Sequence, residues 1–255
     1  MKLYERLKIQ NFAGAGTHLG MLQTAEREST KTEFEAAWNR LNRADLRGLL
    51  ALDYYLLNDG QNAALHGRKC LCEADEFLFG RWRSDFKTPG GAVDPRWWKE
   101  RFTWMEVYEH CLLWGAALAD WSFLKRVSQF PEEAACLSMG TKPQDRDALV
   151  AIAAILRGDS HDECASHINR LLAGPKKGGK LLAAALKALL DMDSDAFEPS
   201  VAAYLQQYKK AEFPKDKLTK KVSIEGTLIV NWARYRGLDM EMPAEFEDHI
   251  VKLKK

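Results

Sequence analysis

Gly174-Pro175-Lys176-Lys177-Gly178-Gly179-Lys180 has the glycine and lysine spacing with which a backbone cradle and an ammonium group hold nucleotide phosphates. The rest of that chemistry is missing. Leu181 stands where a hydroxyl would ligate magnesium, and a helical stretch ending near Leu172 precedes the glycines where a strand is needed. Gly14-Ala15-Gly16-Thr17-His18-Leu19-Gly20 superficially matches a dinucleotide-binding turn, but its third glycine comes one place late and no strand leads into it. The first segment reads as a loop between helical hairpins, the second as a flexible N-terminal connection. His161, Cys164 and His167 recur every three residues, so neighbours could meet on one helix, yet zinc needs further ligands and a closed geometry. His66, Cys70 and Cys72 fare no better, because residues two apart on a helix point to different sides. No nucleophile elbow and no His-Glu-x-x-His helix occurs. The expectation is a protein without catalytic residues, metal or cofactor, and not an enzyme.

Charge is distributed in a more telling way. Acids gather at two short turns: Asp159, Asp162 and Glu163 at the first, and Asp191, Asp193, Asp195 and Glu198 at the second. A third acidic group runs from Asp239 through Glu241, Glu245 and Glu247 to Asp248. Bases gather between hairpins, at Lys176, Lys177 and Lys180, and from Lys209 through Lys215, Lys217 and Lys220 to Lys221. Stacked hairpins place their internal turns along one edge and their connections along the other. The seven acids of the first two turns are therefore the candidate partner-binding residues. The helix macrodipole, which draws acids to N-termini and bases to C-termini, accounts for part of the same pattern. Trp82, Trp97 and Trp98, beside Pro89-Gly90-Gly91, form a second candidate surface.

The elements that must position these groups are helices. Ala154-Ile155-Leu156-Arg157-Gly158-Asp159-Ser160 reappears 34 residues on as Ala188-Leu189-Leu190-Asp191-Met192-Asp193-Ser194, and periods near that length mark stacked helix pairs. Phe34, Trp38, Leu41, Leu46, Leu49 and Leu50 predict a helix over about 32–57, with Thr30 or Thr32 as N-cap. A second helix is expected from Gln61 to about Trp82, then a loop over 84–94. Asp94-Pro95 opens a third, apolar on most faces to about Leu118 and hence central. Gly140, Gly158, Gly174, Gly179 and Gly237 fall where left-handed caps would end helices. No stretch alternates with period two. The expected fold is all-α, one domain over 1–255: an N-terminal helical part to about 83, the loop, then the central helix and serial hairpins over 95–255. The C-terminal half is tetratricopeptide-like, with no sheet.

Composition narrows the partners. Of 255 residues 46% are hydrophobic and 29% charged, as in ordinary globular proteins, and a net charge of +1 argues against a dedicated nucleic-acid binder. Five scattered cysteines suit reduced thiols, and no stretch is long and apolar enough for a signal peptide or membrane span. The expectation is a cytoplasmic protein with neither nucleic-acid nor membrane partners.

Leu112-Leu113-Trp114-Gly115-Ala116-Ala117-Leu118-Ala119, the Ala183–Leu190 helix with Asp193, Ala196 and Phe197, Ser200 to Tyr208, and Leu228 to Gly237 ending in Ala233-Arg234-Tyr235-Arg236-Gly237 together resemble the Immunity protein 49 family. These are helical antidotes from bacterial polymorphic-toxin systems, and the resemblance covers roughly residues 105–240. It implies an inhibitor that binds a cognate toxin domain and performs no reaction of its own. It transfers no contact residue. The alternative expectation is a tetratricopeptide-like scaffold or chaperone for a protein partner, against which the consensus Trp, Gly and Tyr positions are unmet.

Overall fold

Thr32 opens a 24-residue helix: its hydroxyl accepts from the Glu35 amide while the Glu35 carboxylate accepts from the Thr32 amide. The computed structural model of the chain describes residues 3–30, 32–79, 101–129, 143–211, 221–238 and 240–253. Among these residues there are eleven helices and no strand, so the fold is all-α. They are α1 (Leu3–Arg27), α2 (Glu33–Leu56), α3 (Gly60–Phe79), α4 (Arg101–Ala117), α5 (Trp121–Val127) and α6 (Pro143–Arg157). There follow α7 (His161–Ala173), α8 (Lys177–Asp191), α9 (Ser194–Ala211), α10 (Ile224–Tyr235) and α11 (Ala244–Glu247). The expected loop over 84–94, with Trp82, Trp97, Trp98 and Gly140, lies outside the described residues.

One joint recurs between helices. Asn58, Ala119, Gly158, Met192 and Gly237 are the described residues with left-handed φ, between 55° and 82°. After each, the next amide bonds a carbonyl five residues back: Asp59 to Tyr54, Asp120 to Gly115, Asp159 to Ala154, Asp193 to Ala188 and Leu238 to Ala233. This closes the exposed carbonyls of the ending helix. At four of the five joints the closing residue is Asp. Asp59, Asp120 and Asp193 then accept the amides of Asn62, Phe123 and Ala196 respectively, so one residue ends a helix and caps the next. At the remaining one, Ser160 caps α7 with Glu163 in a reciprocal box. The repeat seen at Gly158-Asp159 and Met192-Asp193 is thus a repeat of backbone geometry.

Packing follows chain order from α6 to α9, each helix on the next, and α10 then returns to lie on α4. The central position expected for α4 is observed over its described part: Cys111, Leu112, Leu113 and Trp114 are all buried, against α2, α3, α5 and α10. Two expectations are corrected. Residues 14–20 belong to α1 and are not a flexible connection. Leu7, Ala15, Leu22 and Ala25 bury one face of that helix, Asn11 donates to the Asp53 carbonyl at 3.2 Å, and His18 Nδ1 lies 2.7 Å from the Asp53 carboxylate. Gly174 and Gly179 are not left-handed caps: Gly174 is extended at φ −63° and Gly179 sits inside α8.

Candidate interaction surfaces

The two acidic turns come together. His161, the first residue of α7, places Nε2 2.8 Å from Oδ1 of Asp191, the last residue of α8, while Lys187 holds Oδ2 at 2.7 Å. These hydrogen bonds, from Lys187 first and His161 second, hold the Asp191 carboxyl below the usual carboxylate range. Asp159 is gripped by Arg157, with Nε 3.1 Å from Oδ1 and a terminal nitrogen 2.6 Å from Oδ2. The Ser160 hydroxyl and amide lower Glu163 likewise. Asp193 is committed to its cap. Of the seven candidate acids, Asp162 and Asp195 are exposed and Glu198 half-buried, and these three make no ion pair among the described residues. The ridge is real as a juxtaposition, but four of its carboxylates also serve the fold.

The other candidate chemistry disperses. His161 turns to Asp191, Cys164 is buried with Sγ 3.7 Å from the Asp159 carbonyl, and His167 contacts Arg170. Burial pushes the Cys164 thiol above its ordinary value. No group of three or more His, Cys, Asp or Glu among the described residues is arranged to hold a metal. Lys177 to Lys180 form the first turn of α8, which has no strand before it. A cleft of about 600 Å³ between the α2–α3 joint and the C-terminal segment includes Arg68, Lys221 and Lys252 in its lining. Lys221 is bound by Asp248 at 2.5 Å and Lys252 by Glu247 at 2.8 Å. Lys215, Lys217, Lys220 and Asp239 lie outside the described residues.

A third surface escaped the sequence reading. Trp121 from α5 meets Trp232 and Tyr235 from α10, with all three ring centroids 5.0–5.4 Å apart. Tyr235 is 58% exposed, and the flanking Arg234 and Arg236 are exposed with no ion pair among the described residues. The only signal available was the aromatic and basic run Trp232 to Arg236, because Trp121 is far away in sequence. Trp, Tyr and Arg are the residues that dominate binding energy at protein interfaces. Comparison with protein-family models, curated proteins and solved structures finds no match.

Proposed function

We propose that this chain is an immunity protein that neutralises a cognate bacterial toxin domain in the cytoplasm by direct, stoichiometric binding. The resemblance to the Immunity protein 49 family suggests the class. The observation that carries the reading to a surface is the His161–Asp191 contact, which joins two acidic turns into one ridge. Asp162 and Asp195 are exposed on that ridge with no ion pair among the described residues, Glu163, Asp193 and Glu198 add to its field, and Asp159 and Asp191 are partly offset by Arg157 and Lys187. A toxin that cleaves nucleic acid carries a basic substrate channel, and a fixed row of carboxylates competes with phosphates for it. Complementary charge speeds encounter, and burial of the channel mouth excludes substrate.

The test starts from the reading frames beside the gene, one of which should encode a toxin domain, and co-expresses that domain with this chain. Growth should be restored, and one toxin domain per chain should co-purify. Failure to protect, or protection without a complex, overturns the proposal.

A further inference from the structure

We infer that α1 is the interface of a two-fold homodimer, in which two copies of the helix pair antiparallel about Gly16. Among the described helices α1 packs on α2, so it forms an outer layer. None of the other described helices packs on its opposite face to a comparable extent. Phe12 is 72% exposed and Ile9 60%, and a Cβ added at Gly16 or Gly20 would meet nothing within 4 Å. Two exposed large apolar side chains on one turn of helix are a contact surface in want of a partner. Two hydroxyl donors beside them are already bonded within the helix. The Thr17 and Thr24 hydroxyls donate to the carbonyls of Ala13 and Gly20 at 3.1 and 3.0 Å, so covering them strands no donor proton.

The identity of the partner follows from the order of residues along this face. Glu5, Ile9, Phe12, Gly16, Gly20, Gln23 and Arg27 recur at steps of three and four, which is one stripe of a helix, and all are exposed. Reflection of this stripe about Gly16, as an antiparallel two-fold axis requires, sets Glu5 against Arg27, Phe12 against Gly20 and Ile9 against Gln23. Opposite charges meet at both ends, and the largest side chain meets the residue that lacks one. Arg27 has no ion pair among the described residues. A parallel pair would instead oppose Glu5 to Glu5, Phe12 to Phe12 and Arg27 to Arg27. The stripe is complementary to itself in one orientation, which is the property of an isologous interface. The adjacent macrodipoles also oppose one another in that orientation.

Sedimentation velocity across a wide concentration range tests this on the full chain. The wild type should sediment as a reversible dimer. Glu5→Arg or Arg27→Glu alone should weaken dimerisation about tenfold, because each change acts twice across the axis. The two together should restore it, which a merely damaged helix would not do. In a Cys72→Ser, Cys136→Ser background, Gly16→Cys should form a disulfide-linked dimer under mild oxidation, with unchanged helical circular dichroism. A monomer at every concentration, a double swap that fails to restore dimerisation, or a wild-type dimer that Gly16→Cys does not cross-link each overturns the inference.

Discussion

Gly48 of α2 and His110 of α4 occupy one notch: a Cβ on Gly48 would stand 2.3 Å from Cγ of the His110 ring. One turn further along α4, the Trp114 indole donates to the Gly48 carbonyl at 3.2 Å and lies against Gly67 of α3. The central helix is therefore seated in a groove that two glycines cut into its neighbours. His110 Nε2 also reaches within 3.3 Å of Asp45 Oδ1.

The first prediction concerns that groove. Gly48→Ala should destabilise the protein by about 2–3 kcal/mol, since the clash involves ring and Cβ atoms that cannot swing aside. Gly14→Ala, with nothing near its added methyl, should gain about 0.5–1 kcal/mol from helix propensity. Urea unfolding measures both. Equal midpoints for the two variants would mean that α4 is not seated as described.

The recurrent joint gives a reciprocal pair. Ala119 is exposed and holds φ 56°, a conformation that penalises a Cβ, so Ala119→Gly should stabilise by roughly 1 kcal/mol. Gly158, at φ 78°, should lose a similar amount on substitution by Ala. Thermal melts that move in the same direction for both variants would contradict the left-handed geometry.

Much of this architecture was legible because it is local. The Thr32 cap, the 32–57 helix and the unbroken apolar run from Cys111 to Trp114 all declare themselves within a few turns of chain. Gly14, Gly16 and Gly20 misled because glycine content suggests flexibility, while the anchors that order α1 come from Asp53, 35 residues beyond His18. The Trp121–Trp232 contact was invisible for the same reason: only folding brings α5 to α10. The acidic turns were found, but not their dual use. Nothing in the spacing of Asp159 or Asp193 distinguishes a cap from a free surface charge.

Acid should weaken the fold in two stages. Burial, aided by Arg47 and Lys69, lowers His66, which stacks on Tyr54. Burial also lowers His249, against the opposing effect of its hydrogen bond to the Lys221 carbonyl. Both histidines are more easily protonated in the unfolded chain, so their contribution is complete above about pH 6.5 and is lost as pH falls below it. Glu163 and Asp191, whose values are lowered, retain theirs until the pH drops below about 4. Melting temperature should begin to fall below about pH 6.5, and His66→Gln with His249→Gln should flatten that first stage. A wild-type melting temperature constant from about pH 7.5 to 5.5 would rule this out.

The last prediction separates the acids that serve the fold from those free to serve a partner. Asp162→Lys with Asp195→Lys changes two exposed positions that make no ion pair among the described residues, so the cost should be confined to the unfavourable charge at two helix N-termini, about 1–2 kcal/mol in all. If the ridge contacts a basic toxin, the same pair should slow association, with an effect that shrinks at high salt. Asp191→Lys with Asp193→Lys should slow association too, and lower stability further. It removes the partner of His161 and Lys187 and a cap worth about 1 kcal/mol. Lys176→Glu with Lys177→Glu, at the opposite ends of α7 and α8, is the control and should leave association unchanged. Protection of toxin-expressing cells should follow association rate and not melting temperature. If Asp162→Lys with Asp195→Lys protects as well as the wild type, the ridge is solvated surface. The Trp121–Trp232–Tyr235 cluster with Arg234 and Arg236 then becomes the contact to test, and it would suit an acidic partner rather than a basic one.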